Sequence, residues 1–92
     1  MSIFLNSQTG SVWEVYVSNR KFLVDVPNFS FELSPVSRTR FSPINTQVNL
    51  EFEFEKPLVK NYLLLHVYAK GIRRATFETS QLSFVLPEYV DM

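Results

Sequence analysis

Between residues 47 and 70 the apolar and polar positions fall into two runs that suit the arms of one β-hairpin. Val48, Leu50, Phe52 and Phe54 alternate with Asn49, Glu51, Glu53 and Glu55, the period of a strand with one buried face. A second run, 58–70, follows Lys56-Pro57. With 56–59 as a four-residue loop, Phe52 stands opposite Leu63, Leu50 opposite Leu65 and Val48 opposite Val67, while Glu55 meets Lys60. The other face then pairs Glu53 with Tyr62, Glu51 with Leu64, Asn49 with His66 and Gln47 with Tyr68. A two-residue loop sets Phe52 opposite Asn61 and Phe54 opposite Val59, a poorer match. Matched cross-strand pairs contribute a few tenths to about 1 kcal/mol each, so the four-residue loop is preferred.

Earlier in the chain, residues 12–17 and 21–26 form another hairpin candidate around a two-residue Asn19-Arg20 turn. It pairs Val17 with Phe22, Val15 with Val24 and Trp13 with Val26, and sets Glu14 opposite Asp25. Asn suits a type I′ turn, whereas Arg in the second place is poor beside Gly. Pro27-Asn28 interrupts the pattern, and Phe29, Phe31 and Leu33 then share one face of 28–33. Residues 34–46, with Pro35 and Pro43, are the least regular, and predict a long contact loop carrying Arg38, Arg40 and an exposed Phe41. Lys70, Gly71 and Ile72 as a three-residue loop set Val67 opposite Ala75 and Leu65 opposite Phe77 in a strand over 72–79. A last strand spans 81–86 and stops at Pro87.

This pattern predicts an all-β, antiparallel domain built from hairpins, a β-sandwich or small barrel of about six or seven strands. It occupies residues 1–92 as one domain, with a short N-terminal arm at 1–10 and a C-terminal tail at 87–92. The expected core comprises Trp13, Val15, Val17, Phe22, Val24, Phe29, Phe31, Val48, Leu50, Phe52, Leu63, Leu65, Val67, Phe77 and Phe84.

Composition narrows the classes of function. Nine basic and nine acidic residues cancel, so wholesale attraction to nucleic acid or an anionic membrane is not expected. The chain has no cysteine, which excludes disulfides, thiolate catalysis and cysteine-held zinc. Its first six residues lack a basic segment, and no apolar run approaches a membrane span, so it is expected to be made in the cytoplasm without a signal peptide or membrane partner.

His66 is the sole histidine, and one imidazole beside a carboxylate is far short of a catalytic or metal-binding set. No catalytic residue, metal, cofactor or small-molecule substrate is therefore expected. Glu51, Glu53 and Glu55 read as a solvated outer face. Arg38, Arg40, Lys70, Arg73 and Arg74, with Phe41 and Tyr68, are the cations and rings that single-stranded nucleic acid uses. Tyr62, Leu64, His66 and Tyr68 line the face opposite Leu63, Leu65 and Val67. A strand apolar on both sides is normally covered on both, which makes this second face a candidate protein interface. The arm around Phe4 and the tail around Tyr89 would extend it.

The leading expectation is a non-enzymatic structural or accessory subunit of a larger assembly, such as a virus or bacteriophage particle (virion), with a protein partner or homo-oligomerisation. The alternatives are a small β-barrel that binds single-stranded nucleic acid through Arg38, Arg40, Phe41, Arg73 and Arg74, and an inhibitory or regulatory binding protein.

Overall fold

Among the described residues the alternating runs form strands, and each strand pairs antiparallel with its neighbour in the chain. The computed structural model describes residues 2–58 and 62–79. Its strands are β1 (Ser2–Leu5), β2 (Val12–Ser18), β3 (Lys21–Val26), β4 (Phe29–Pro35), β5 (Arg40–Pro43), β6 (Leu50–Glu55), β7 (Leu63–Ala69) and β8 (Ile72–Thr79). Because β1 pairs with both β2 and β8, the sheet closes into an eight-stranded barrel. A sandwich, or a barrel of six or seven strands, is thus corrected. Two short strands, β1 and β5, account for the difference. Residues 2–5 are a barrel stave and not an arm, and β5 lies inside the stretch expected to be a loop.

Local chemistry shapes the turns. Asn19 and Arg20 both adopt positive φ, 52° and 64°, and so do Lys70 and Gly71, 53° and 80°. These are the paired left-handed residues of type I′ turns, whose twist matches that of the flanking strands. Between β1 and β2, Asn6 Oδ1 accepts the amides of Gln8 and Thr9, at 2.9 and 3.2 Å, and bends the chain back. Before β5, Ser37 Oγ accepts the amide of Arg40 at 3.1 Å, and the Arg40 carbonyl accepts those of Val36 and Ser37.

The β2–β3 register is as predicted, from Glu14 opposite Asp25 to Ser18 opposite Lys21. The central hairpin is not: Phe52 faces Val67, Phe54 faces Leu65, Glu53 faces His66 and Glu51 faces Tyr68. This is a slide of four residues from the predicted pairing. It places Phe54 opposite an apolar partner instead of opposite Asn61. An even slide leaves every side chain on its predicted face, since strand side chains repeat every two residues. In β7–β8, Val67 does meet Ala75 and Leu65 does meet Phe77, but the loop has two residues, and a bulge at Arg74 absorbs the third.

An eight-stranded barrel is just wide enough for side chains to fill. Here Phe4, Phe22, Phe41, Phe52, Phe54, Val15, Val24 and Leu65 are all fully buried. Their rings pack edge to face or tilted, with Phe22 4.9 Å from Phe41 and 5.6 Å from Phe54, and Phe4 5.9 Å from Phe54. Trp13 stacks on Phe77 at 4.1 Å. Three expected core residues sit instead toward the barrel ends, where Val17, Phe29 and Val48 are 53%, 43% and 54% exposed. Phe84 and the strand expected over 81–86 lie outside the described residues.

Candidate interaction surface

With the Phe-bearing positions turned inward, alternation sends Glu51, Glu53 and Glu55 of β6 outward beside His66 and Tyr68 of β7. Across β5, Arg40 is paired with Glu53. Its guanidinium reaches Glu51 and Glu53, each at 3.1 Å, and lies 4.5 Å over the ring of Tyr68. The Tyr68 hydroxyl in turn donates to Glu53 at 3.2 Å. The hydrogen bond to Glu53 raises the Arg40 pKa; burial opposes this, and the charge of Glu53 and the contacts of Glu51 add to it.

One row over, His66 is only 4% exposed because its neighbours on the outer face cover it. Its Nε2 lies 2.8 Å from Glu55 Oε1, and its Nδ1 lies 2.9 Å from Thr76 Oγ1 and 3.4 Å from Nη1 of Arg73. One neutral tautomer suits all three contacts: Nε2–H donates to Glu55, while Nδ1 accepts from Thr76 and Arg73. Hydroxyl, imidazole and carboxylate stand in the order of a proton relay. Acyl transfer also needs donors aimed at a developing oxyanion, and Thr76 lies mid-strand on the open face of β8. Among the described residues no three His, Asp or Glu side chains converge in a way that could hold a metal ion.

The predicted interface is thus split. Tyr68 is tied to Glu53 and His66 to Glu55 and Thr76, while Tyr62 and Leu64 are half-buried. Phe4 and Phe41, expected at contact surfaces, are both fully buried, and the interior needs their rings for filling. Arg38, Arg73 and Arg74 are exposed; Arg40 contacts Glu51, Glu53 and Tyr68, and Arg73 contacts His66, in two neighbouring clusters on the outer face. Tyr89 lies outside the described residues.

A different apolar strip occupies the far side of the barrel. Ile3 and Leu5 point outward from β1 at 40% and 42% exposure, and Val12 from β2 at 51%. Leu5 faces Val12 on one side and Glu78 on the other, and Glu78 faces Leu64 on β7. Ile3 faces Glu14, which faces Asp25 on β3. Asp25 accepts hydrogen bonds from the hydroxyls of Tyr16 and Ser30. The run Ile3-Phe4-Leu5 carries the only sequence signal of this strip, since Phe4 between them must turn inward; Val12 is betrayed only by its parity against Trp13 and Val15.

Comparison with protein-family models, with curated proteins and with solved structures yields no match.

Proposed function

We propose that the chain is a non-enzymatic structural or accessory subunit that works by holding another protein chain against the outside of its barrel. The observation that carries this reading is the set Ile3, Leu5 and Val12, aliphatic, adjacent in register and 40–51% exposed on the outside of the barrel. Aliphatic side chains grouped on the wet side of a sheet mark a contact surface more than isolated ones do. The sheet is closed, so a partner would be gripped by side chains and not by an added strand. The interior is given over to phenylalanine rings, which argues against a carrier of small molecules.

The nucleic-acid alternative draws less support. Arg40 already serves two carboxylates, and a phosphate approaching it would meet Glu51 and Glu53. The contact surface is also displaced from Tyr68 and His66 toward β1.

Native-state mass measurement across a concentration series, alone and in extract of the source cells, tests the proposal. Wild-type protein is expected in a complex heavier than one chain, and Leu5→Ser with Val12→Ser is expected to release a folded single chain. A wild-type protein that is a lone chain under every condition would sink it.

A further inference from the structure

Resting on that reading, we infer that the strip on β8, β1 and β2 receives a segment of a different protein in which apolar side chains are flanked by lysine or arginine. The charge pattern carries the inference. Most carboxylates among the described residues have a cation in contact or an imidazole beside them: Glu32 has Lys21 at 3.7 Å, Glu51 and Glu53 share Arg40, and Glu55 has His66. Glu14, Asp25 and Glu78 have no such partner among the described residues. These three are the carboxylates that border the strip. Glu78 faces Leu5, Glu14 faces Ile3, and Asp25 faces Glu14.

Among the described residues, no base is paired in register with Glu14, Asp25 or Glu78. The outward positions of β1 are Ile3 and Leu5, and those of β2 are Val12, Glu14, Tyr16 and Ser18. On β8 the first arginine is Arg74, four residues from Glu78 and so about 13 Å along the strand. An apolar centre with an uncompensated acidic rim complements an apolar segment with a basic rim. A second copy of the same face is the poorer occupant. Two copies about a twofold axis would bring two acidic rims together, and like charges across an interface cost affinity.

Three labelled synthetic peptides of equal length test this: one alternating Lys and Leu, one alternating Lys and Ser, one alternating Glu and Leu. The Lys/Leu peptide is expected to bind the full chain saturably, with affinity falling as salt rises. Leu5→Ser with Val12→Ser should weaken it at least about tenfold, the scale of one good contact. Glu14→Gln with Glu78→Gln should weaken it comparably and flatten the salt dependence, while Glu32→Gln on another part of the barrel should change nothing. Equal binding of the Lys/Ser peptide, or equal weakening by Glu32→Gln, would show general charge attraction and overturn the inference. A protein that doubles its mass and becomes single on Leu5→Ser would also overturn it, while leaving the protein-contact reading intact. A lone chain that binds none of the peptides, with Leu5→Ser lowering its melting temperature, would mean that another part of the same chain covers the strip, and both readings would fall.

Discussion

The guanidinium of Arg40 lies 4.5 Å above the ring of Tyr68 while also bridging Glu51 and Glu53, each at 3.1 Å. One cation on β5 thereby ties together β6 and β7, two neighbouring strands of the barrel. Arg40→Ala should lower the thermal midpoint, because Glu51 and Glu53 would stand about 7 Å apart with their cation gone. The deficit against wild type should narrow as salt rises from about 0.05 to about 0.5 M, since exposed like charges are screened. Arg40→Lys should recover only part of the loss, for an ammonium cannot fork to two carboxylates and stack on a ring together. A deficit unchanged by salt would show that Arg40 acts by packing alone.

Phe41 belongs to the core and Phe29 to its rim, despite similar sequence surroundings. Phe41→Ala and Phe52→Ala should each cost about 3–5 kcal/mol in urea unfolding, enough to unfold a marginal domain. Phe29→Ala should cost clearly less, because its ring is already 43% exposed. Equal costs at Phe29 and Phe41 would mean that β5 does not line the barrel interior.

Tyr16 should make the fold sensitive to alkali. Burial chiefly raises its pKa above the ordinary 10.0, helped by the hydrogen bond to Asp25 and by the charges of Asp25 and Glu14. The unfolded chain releases this proton near pH 10 while the folded chain still holds it. The stabilisation is therefore complete below pH 10 and is lost as pH climbs through the higher folded value. Urea midpoints followed from about pH 8 to about pH 11 should fall less steeply for Tyr16→Phe than for wild type. Parallel curves would exclude the coupling.

The two type I′ turns predict opposite responses. Arg20 holds φ at 64°, a region that costs a residue with a β-carbon about 1–2 kcal/mol, so Arg20→Gly should stabilise by about 0.5–1 kcal/mol. Gly71 holds φ at 80° and nothing lies within 4 Å of an added β-carbon, so Gly71→Ala should destabilise through backbone strain alone, by about 1 kcal/mol. Equilibrium unfolding of both variants checks the pair. If Arg20→Gly destabilises, the Arg20 side chain matters more than its backbone.

The sequence by itself determined which way side chains point. Alternation is written residue by residue, so Phe52, Leu63, Leu65 and Val67 could be placed inside, and Glu51, Glu53 and Glu55 outside, before any pairing was known. The Asn19-Arg20 turn likewise determined the β2–β3 register, because a two-residue loop leaves no slack. Tertiary structure decided the rest. The β6–β7 register slid by four residues because the connection carries Pro57 and is longer than a tight turn, and pairing Phe54 with Leu65 outweighed the shorter loop. Phe41 entered the core because β4 and β6 offered a gap that only a stave between them could fill, a demand invisible in the proline-flanked residues 34–46. Closure through Leu5 and Glu78 is likewise a property of strand number and tilt, and it turned Phe4 inward while leaving Ile3 and Leu5 exposed. The face of each side chain follows from the local two-residue repeat, but strand partners depend on loop length and on the room left inside a closed sheet.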